Sequence, residues 1–289
     1  MPHSISAPAP TLVFVIGCQR SGTTLTGQIL GAHPNAVLLD EDDDIYNWFK
    51  AISPTDPLNQ GKLGPILGLA ARKYQTPSSR FEVDIDGTTR LKPHVSHLVL
   101  KAPNLTYAWQ KIASLSVNTG TIGLVRDPRA VVSSMAKLTH IPMVSNQINW
   151  IEQHPELTQE LKADLALLRN ANVADIIKRA LVWKIKTSLI DRFWDAGLTG
   201  MIIHYERLIE QPQAVIRSML AEVSLPDSAS VYAHQNELTG KGPGNTSRGR
   251  KIDTQSQTLW KQDLSPEQSI QIFATVKDLA RAHGYHSGA

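Results

Sequence analysis

The sequence predicts an α/β protein, specifically a P-loop-like three-layer α/β/α fold with a mostly parallel central sheet. Short segments rich in Val, Ile and Leu alternate with longer segments of helical periodicity, which favours strands joined by helical crossovers. The first apolar segment leads directly into a glycine-bounded loop and then a helix, a layout typical of phosphate-binding proteins. The polar motifs follow predicted strands, and the carboxyl ends of strands are where open α/β sheets bind ligands.

The predicted strands are short and apolar, as expected for strands buried on both faces of a parallel sheet. They span residues 11–17, 37–39, 97–100, 121–125 and 200–204. Right-handed crossovers through helices are expected to connect them. The main predicted helices cover 23–30, 45–49, 63–72, 105–115, 129–138, 173–194, 211–220 and 266–282.

The 289-residue chain is long enough for one large domain with its own core. We predict a flexible N-terminal tail over 1–10, which is rich in Pro, Ala and Ser, and a single domain over 11–289. The segments 53–95 and 141–170 are predicted to be inserted lobes, largely helical, that shape an acceptor-binding pocket. No further strand of the central sheet is expected in 53–89.

Charge and composition narrow the class of partner. The formal charge of +3 suits a small anionic ligand better than nucleic acid, and no dense Lys/Arg run with interleaved aromatics occurs. No apolar run is long enough to span a membrane. The single cysteine, Cys18, excludes an internal disulfide and fits the cytoplasm, the predicted location. The histidines lack metal-ligand spacing, so no metal site is predicted, and a homodimer is left open.

The loop after the first strand predicts an anion site. Gly17 and Gly22 have the spacing of a Walker A loop, but Thr23 stands where nucleotide triphosphatases have Lys. Arg20 supplies a cation inside the loop, and Thr23 and Thr24 add hydroxyl groups beside the backbone N–H donors. The loop therefore suits a phosphate-like group rather than ATP·Mg chemistry.

A second motif follows the 121–125 strand. Arg126 ends that strand, and Ser134 lies two helical turns further on. An arginine and a hydroxyl in this arrangement are suited to clamping a second phosphate. Arg-Asp-Pro is also a common turn, so this motif alone does not establish a site.

Together the two motifs resemble those of the sulfotransferases that use 3′-phosphoadenosine 5′-phosphosulfate (PAPS). Residues 15–25, VIGCQRSGTTL, resemble the family's 5′-phosphosulfate loop, and residues 124–134, LVRDPRAVVSS, resemble its 3′-phosphate motif. His33-Pro34 and 204–208 are further landmarks, and the resemblance extends over 12–284. It implies transfer of a sulfuryl group from PAPS to a hydroxyl or amine of a small-molecule acceptor by in-line displacement. Adenosine 3′,5′-bisphosphate (PAP) then leaves, and no metal is required.

The resemblance also implies roles for individual residues. Arg20 and Lys101 would stabilise the transferring group. The donor-binding residues would be Arg20, Ser21, Gly22, Thr23, Thr24, Leu25, Arg126, Ser134, Tyr205, Arg250 and Lys251.

The general base is the least direct of these assignments. Cytosolic members of the family use a histidine where this chain has Pro103. Another branch, which includes the protein-tyrosine sulfotransferases, uses a glutamate shortly after the His-Pro landmark. Glu41 falls at that position and is the predicted base, with Asp40 and Asp42 as alternatives.

Two other function classes share features with this sequence. A P-loop kinase needs Lys after Gly22 and a strand-end Asp for Mg²⁺, and Asp127 is a poor candidate because it follows Arg126. A non-catalytic nucleotide-binding protein would be favoured if Glu41 and Lys101 lay far from the loop. The apolar and aromatic residues of the two lobes permit an alcohol, phenol, sugar or amine acceptor, and the sequence does not choose among them.

Overall fold

A computed structural model of the chain describes residues 9–53, 60–73, 78–236 and 251–287. Its strands are β1 (Thr11–Gly17), β2 (Ala36–Leu39), β3 (Phe81–Val83), β4 (Thr89–Leu91), β5 (His97–Lys101), β6 (Thr119–Val125) and β7 (Gly200–His204). Five of them form one sheet in the order β2-β5-β1-β6-β7, and every pairing in that sheet is parallel. The predicted α/β class is confirmed.

Helices account for most of the remaining described chain. The α-helices are α1 (Thr23–Gly31), α2 (Asp43–Ala51), α3 (Gln60–Lys73), α4 (Trp109–Ala113), α5 (Pro128–Ala136), α6 (Met143–Glu152), α7 (Pro155–Glu160), α8 (Lys162–Arg169), α9 (Asp175–Ser188), α10 (Asp191–Asp195), α11 (Tyr205–Glu210), α12 (Pro212–Glu222), α13 (Ala229–Tyr232), α14 (Gln255–Thr258), α15 (Trp260–Asp263) and α16 (Pro266–Ala282). Short 3₁₀ helices cover Ser78–Arg80, Pro103–Ala108 and His234–Asn236.

The register of the sheet brings several chain segments to one edge. β1 lies between β5 and β6, with Val15 opposite Lys101 and Gly17 opposite Leu124. β2 pairs with β5 so that Leu39 lies opposite Leu100. Because all these strands run in the same direction, the segments that follow β1, β2, β5 and β6 emerge together.

The two faces of the sheet pack against different helices and make three layers. Leu12, Phe14 and Ile16 of β1 belong to the core that α9 and α16 cover. Val13 and Val15 point to the other face, whose core includes residues of α1 and α12. This alternation is the period-2 pattern of a strand buried on both faces.

Three predicted elements differ from the structure. The predicted helix 173–194 is divided into α9 and α10, because the bonding changes near residue 190, where the Ile190 N–H donates to Thr187 O. The predicted helix 105–115 is a 3₁₀ segment followed by the short α4. The 53–89 lobe holds α3 as predicted, but it also contributes to the separate antiparallel hairpin β3–β4, whose Asp86-Gly87 turn was overlooked.

The predicted tail and single-domain boundaries stay predictions, because residues 1–8 lie outside the described chain. Among the described helices, none combines the length and the apolar character needed to cross a membrane.

Candidate active site

Two adjoining cavities lie at the edge where the parallel strands end. The first cavity, of about 330 Å³, is lined by residues of the loop after β1 and of α1, by Arg126 and residues of α5, by part of the 251–263 segment, and by Tyr205. The second cavity, of about 160 Å³, is bounded by Glu41, Pro103, Asn104 and residues of α6 and the loop before it. Arg20, Thr23 and Thr24 line both cavities, so the loop after β1 forms their common wall.

The loop between β1 and α1 has two residues with a left-handed backbone and leads into a helix N-terminus. It ends at Gly22, which has φ 99°, and a side chain there would approach the Tyr205 ring to 2.5 Å. Arg20 also has a left-handed backbone, with φ 71°. Non-glycine residues in this region are uncommon and cluster at functional sites. The first N–H groups of the nine-residue α1 follow directly and give the loop a positive end.

The structure brings the two predicted phosphate motifs into contact. The Arg20 side chain donates from Nε to Ser134 Oγ over 2.9 Å. The Arg126 guanidinium in turn donates from Nη1 to the Arg20 carbonyl oxygen over 2.9 Å. Arg126, directly after β6, and Ser134, within α5, therefore hold the loop after β1 in place.

Arg126 is supported by Tyr205 and by Ser256, which lies on α14. The Arg126 guanidinium carbon is 4.3 Å from the centre of the Tyr205 ring, and a second guanidinium nitrogen donates to Ser256 O. The Tyr205 hydroxyl and Ser256 Oγ are hydrogen-bonded at 2.7 Å. Within the described residues Arg126 forms no ion pair with a carboxylate, and its buried Nε has no partner.

The first cavity is lined by four basic side chains, Arg20, Arg126, Lys137 and Lys251, and by two carboxylates, Asp253 and Asp263. Burial and then the neighbouring Arg126 guanidinium lower the pKa of Arg20. Two guanidiniums this close favour an anion between them or beside them. Of the other predicted donor-binding residues, Gly22, Thr23, Thr24, Leu25, Ser134, Tyr205 and Lys251 also line this cavity.

Two predicted donor-binding residues are placed differently or lie outside the described chain. Ser21 is fully buried and lines neither cavity, and its N–H donates to Cys18 O over 3.2 Å. Arg250 lies outside the described residues.

The three candidate carboxylates differ sharply in their surroundings. Asp40 is completely buried, pairs with Lys101 Nζ at 2.8 Å and accepts the Glu41 N–H at 2.8 Å. Asp42 is the N-cap of α2 and accepts the Asp44 N–H at 2.9 Å. Glu41 is one-third exposed (33%) and is the member of the three that lines the second cavity.

Lys101 lies behind Glu41 rather than in either cavity. Its side chain is only 1% exposed, and Nζ is 3.4 Å from Glu41 Oε2 in addition to its closer contact with Asp40. The buried Asp40 carboxylate neutralises the Lys101 ammonium, as a buried charge requires. The predicted catalytic residues Glu41, Lys101 and Arg20 are thus brought to one region, with Lys101 on the protein side of Glu41.

His33 has a structural role, because both of its ring nitrogens bond to backbone groups. Its Nδ1 accepts the Asn35 N–H at 3.0 Å, and its Nε2 is 2.9 Å from Pro226 O, to which it donates. Burial lowers the pKa of His33, which favours this neutral, doubly bonded ring. Cys18 is also buried, and burial raises the pKa of its thiol to about 12.

Sequence reasoning missed a group of polar residues behind the second cavity. Lys186 of α9 is fully buried and donates to Asn104 Oδ1 at 2.7 Å and to Pro103 O at 3.1 Å. Gln147 and Tyr107 extend this group. One signal was available: Lys186 interrupts the apolar stripe formed by Val182 and Ile185 of α9 and by Leu189 just after it, and a lysine is rarely fully buried without a partner.

No group of three or more His, Cys, Asp or Glu side chains suited to a metal ion occurs within the described ranges.

The family comparison matches most of the chain. The model of a family described as "Sulfotransferase family" matches residues 10–229. The chain is also 22% identical over 287 residues to the "Nodulation protein NoeE" of Sinorhizobium fredii. That alignment covers 96% of this chain but 65% of NoeE, so the chain spans about two thirds of the length of that relative.

Solved structures share the fold. The "Sulfotransferase Domain from the Curacin Biosynthetic Pathway" superposes with a TM-score of 0.57 at 16% identity and covers 97% of this chain and 99% of its own. The "Sulfotransferase Domain from the Synechococcus PCC 7002 Olefin Synthase" gives a TM-score of 0.52 at 13% identity, covering 96% of each chain. At these identities the likeness concerns the fold.

Proposed function

We propose, starting from the fact that this chain belongs to the sulfotransferase family, that it transfers a sulfuryl group from PAPS to a small-molecule acceptor. The acceptor group is a hydroxyl, or alternatively an amine. The observation that carries the proposal is the junction of the two cavities at Arg20, Thr23 and Thr24, with Glu41 on the far side. One cavity is suited to an anionic nucleotide, and the other presents a carboxylate to a second substrate.

The first cavity fits PAPS in size and in chemistry. Its volume lies at the lower end of the range for small-molecule sites. The buried Nε of Arg126 and the buried Nε2 of Gln28, which also lines the cavity, have no partners in the described structure. Such donors are costly unless a ligand satisfies them.

Arg126 and Ser134 are the groups proposed to hold the 3′-phosphate, with Lys251 on the same cavity wall. Arg20 and the N-terminal amides of α1 hold the phosphosulfate end. When bound, PAPS supplies the sulfuryl group and leaves as PAP. Arg20 and the loop amides are fixed before reaction by Ser134 and Arg126, so they stabilise the negative charge that develops on the leaving phosphate without rearranging.

Glu41 is the proposed general base. It accepts the proton of the acceptor hydroxyl as the new bond to sulfur forms. Its surroundings support this role over the alternatives, because Asp40 is committed to Lys101 and Asp42 to the start of α2.

The role of Lys101 in contacting the transferring group stays a prediction. Its observed contacts support a second role, which is to orient the Glu41 carboxylate from behind. Asp40 would hold the Lys101 ammonium in place for that purpose.

The kinase alternative gains nothing from the structure. Asp127, the residue considered for Mg²⁺, caps α5 by accepting the Arg129 N–H at 2.8 Å. It also forms a two-point ion pair with the Arg129 guanidinium, at 3.0 and 2.7 Å.

The test is transfer of radiolabelled sulfur from PAPS into a metabolite extract of the host, with a metal chelator present, followed by identification of the labelled product. We expect label in a small molecule, one equivalent of PAP formed, and tight binding of PAP by calorimetry. In a parallel assay with Mg²⁺ and no chelator, turnover of ATP without binding of PAP would favour the kinase. Binding of PAP without transfer to any component of the extract would favour a non-catalytic nucleotide-binding protein.

A further inference from the structure

The second cavity has a polar wall whose hydrogen bonds are connected. Asn104 and Gln147 both line it. Lys186 Nζ donates to Asn104 Oδ1 at 2.7 Å, and Gln147 Nε2 donates to the same oxygen at 3.4 Å. The Tyr107 hydroxyl donates to Gln147 Oε1 at 3.0 Å.

The buried ammonium fixes the direction of both amides. An ammonium has no acceptor, so the Asn104 atom that faces Lys186 is the oxygen. Gln147 must then present its nitrogen to that oxygen, which leaves Gln147 Oε1 for the Tyr107 hydroxyl. Lys186 is anchored by Pro103 O at 3.1 Å and lies 5.3 Å from the Tyr107 ring centre, so it has little freedom to move.

The remaining polar atom of Asn104 is Nδ2. Within the described residues this nitrogen donates to no protein group, and it is not among the buried atoms that lack a partner. Since Oδ1 faces the buried Lys186, Nδ2 is the atom that Asn104 has available for a ligand in the second cavity.

We propose that Asn104 is a specificity-determining residue whose Nδ2 donates a hydrogen bond to an oxygen of the acceptor beside the reacting hydroxyl, with Lys186 as its positioning residue. This deepens the proposed function and rests on it. Glu41 lines the same small cavity, so one acceptor reaches both groups when its two oxygens are close together. Leu138, Ile141 and Met143 supply an apolar wall. The substrate class is an amphipathic alcohol with a second, neighbouring oxygen, such as a vicinal diol.

The test compares two matched acceptors, octan-1-ol and octane-1,2-diol, with PAPS as donor. We expect the wild type to use the diol with a kcat/KM about tenfold higher, the size of one neutral hydrogen bond. Asn104→Asp keeps an oxygen for Lys186 but replaces the donor by an acceptor, so the preference should disappear, mainly through a higher KM for the diol. Lys186→Met should also reduce the preference, because the Asn104 amide is then free to turn.

The control variant is Asn149→Asp, which makes the same amide-to-carboxylate change on an exposed position of α6. It should keep the preference. A readout specific to positioning is pH: burial lowers the pKa of Lys186 to about 8, so the wild-type preference should decline above that pH. Asn104→Asp should show no such decline.

Three results overturn the proposal: equal use of the two acceptors by the wild type, transfer to neither, or a preference that survives Asn104→Asp. Calorimetry with PAP on each protein separates this failure from failure of the proposed function. A wild type that binds PAP but shows no preference refutes the role of Asn104 alone, whereas a wild type that does not bind PAP refutes the proposed function itself.

Discussion

The two cavities share a wall but are built in different ways. The first cavity takes both of its guanidinium groups, Arg20 and Arg126, from two short contiguous motifs, each following a strand of the sheet. The second cavity takes its polar groups from the end of β2, the 3₁₀ segment after β5 and α6, with Lys186 of α9 behind them. Under the proposed function, local sequence motifs would bind the nucleotide, whereas side chains that only tertiary structure brings together would bind the acceptor.

The largest expected effect is on kcat, and it comes from a change in the second cavity that leaves the first cavity intact. Glu41→Gln should lower kcat about a thousandfold, because general-base catalysis is lost. The affinity for PAP should stay unchanged, since Glu41 does not line the first cavity. Steady-state rates and calorimetry measure the two quantities. Asp44→Asn is the control, an exposed acidic neighbour whose loss should leave kcat intact. A Glu41→Gln enzyme with near-normal turnover would remove the base assignment.

A change at Arg126 is expected to have the opposite pattern, with weaker PAP binding and an unchanged preference between acceptors. Arg126→Met should raise the PAP dissociation constant about tenfold to a hundredfold, the usual range for a lost charge-assisted hydrogen bond. Asn104, Gln147 and Glu41 are not in contact with Arg126, so the relative preference between acceptors should persist. Arg207→Met, at an exposed position of the neighbouring α11, supplies the control. Equal PAP affinity in the two variants would contradict the 3′-phosphate role.

A third change tests the common wall itself. Gly22→Ala combines a left-handed backbone with a clash against the Tyr205 ring, whereas Gly87→Ala has φ 81° and meets nothing within 4 Å. In both variants, strain in the left-handed backbone should lower the free energy of unfolding by about 1 kcal/mol. Gly22→Ala alone should also weaken PAP binding. Thermal unfolding and PAP titration of both variants measure this difference. PAP affinities that fall equally, or not at all, would count against the contact between the loop and Tyr205.

The smallest expected effect is a loss of stability at acidic pH. Burial lowers the pKa of both His33 and His97, and their Nε2 atoms donate to Pro226 O and Val223 O. The unfolded chain therefore takes up protons first as the pH falls through about 6.5, so the free energy of unfolding decreases below that pH.

Thermal midpoints measured from pH 7.5 to 5 should fall by a few degrees, and less so in His33→Asn. Because both histidines bond to the segment after α12 rather than to a cavity, PAP affinity at neutral pH should be unaffected. A midpoint that rises on acidification would reverse the sign of this prediction.

Much of the fold was predictable because its strands are buried on both faces. Such strands form uninterrupted apolar runs, and β1 was located to the residue. The partly buried edge strand β7 was also located to the residue. The division between α9 and α10 was not predictable, because the apolar periodicity continues through Leu189 and Ile190. Periodicity reports which face is buried but not a local change in the bonding pattern.

The candidate site also has a part that local sequence patterns predict and a part that they do not. Arg20, Arg126 and Ser134 were identified because each belongs to a motif, and the structure brings them into contact. The surroundings of Lys101 and of Asn104 were not predictable, since their partners Asp40 and Lys186 lie 61 and 82 positions away in the sequence. No local pattern encodes such pairs.

The close approach of α1 to the sheet has a consequence for how enzymes of this design can diversify. A side chain at Gly27 would come within 2.9 Å of Lys101 Cβ, so α1 rests directly on the residue that contacts Glu41. The loop before α1 and the Glu41 carboxylate are therefore linked through Lys101 by direct packing. If the proposed function holds, changes of acceptor would be accommodated on the opposite side of the second cavity, by α6 and the loop that precedes it, while the position of Glu41 relative to the loop before α1 stays constant.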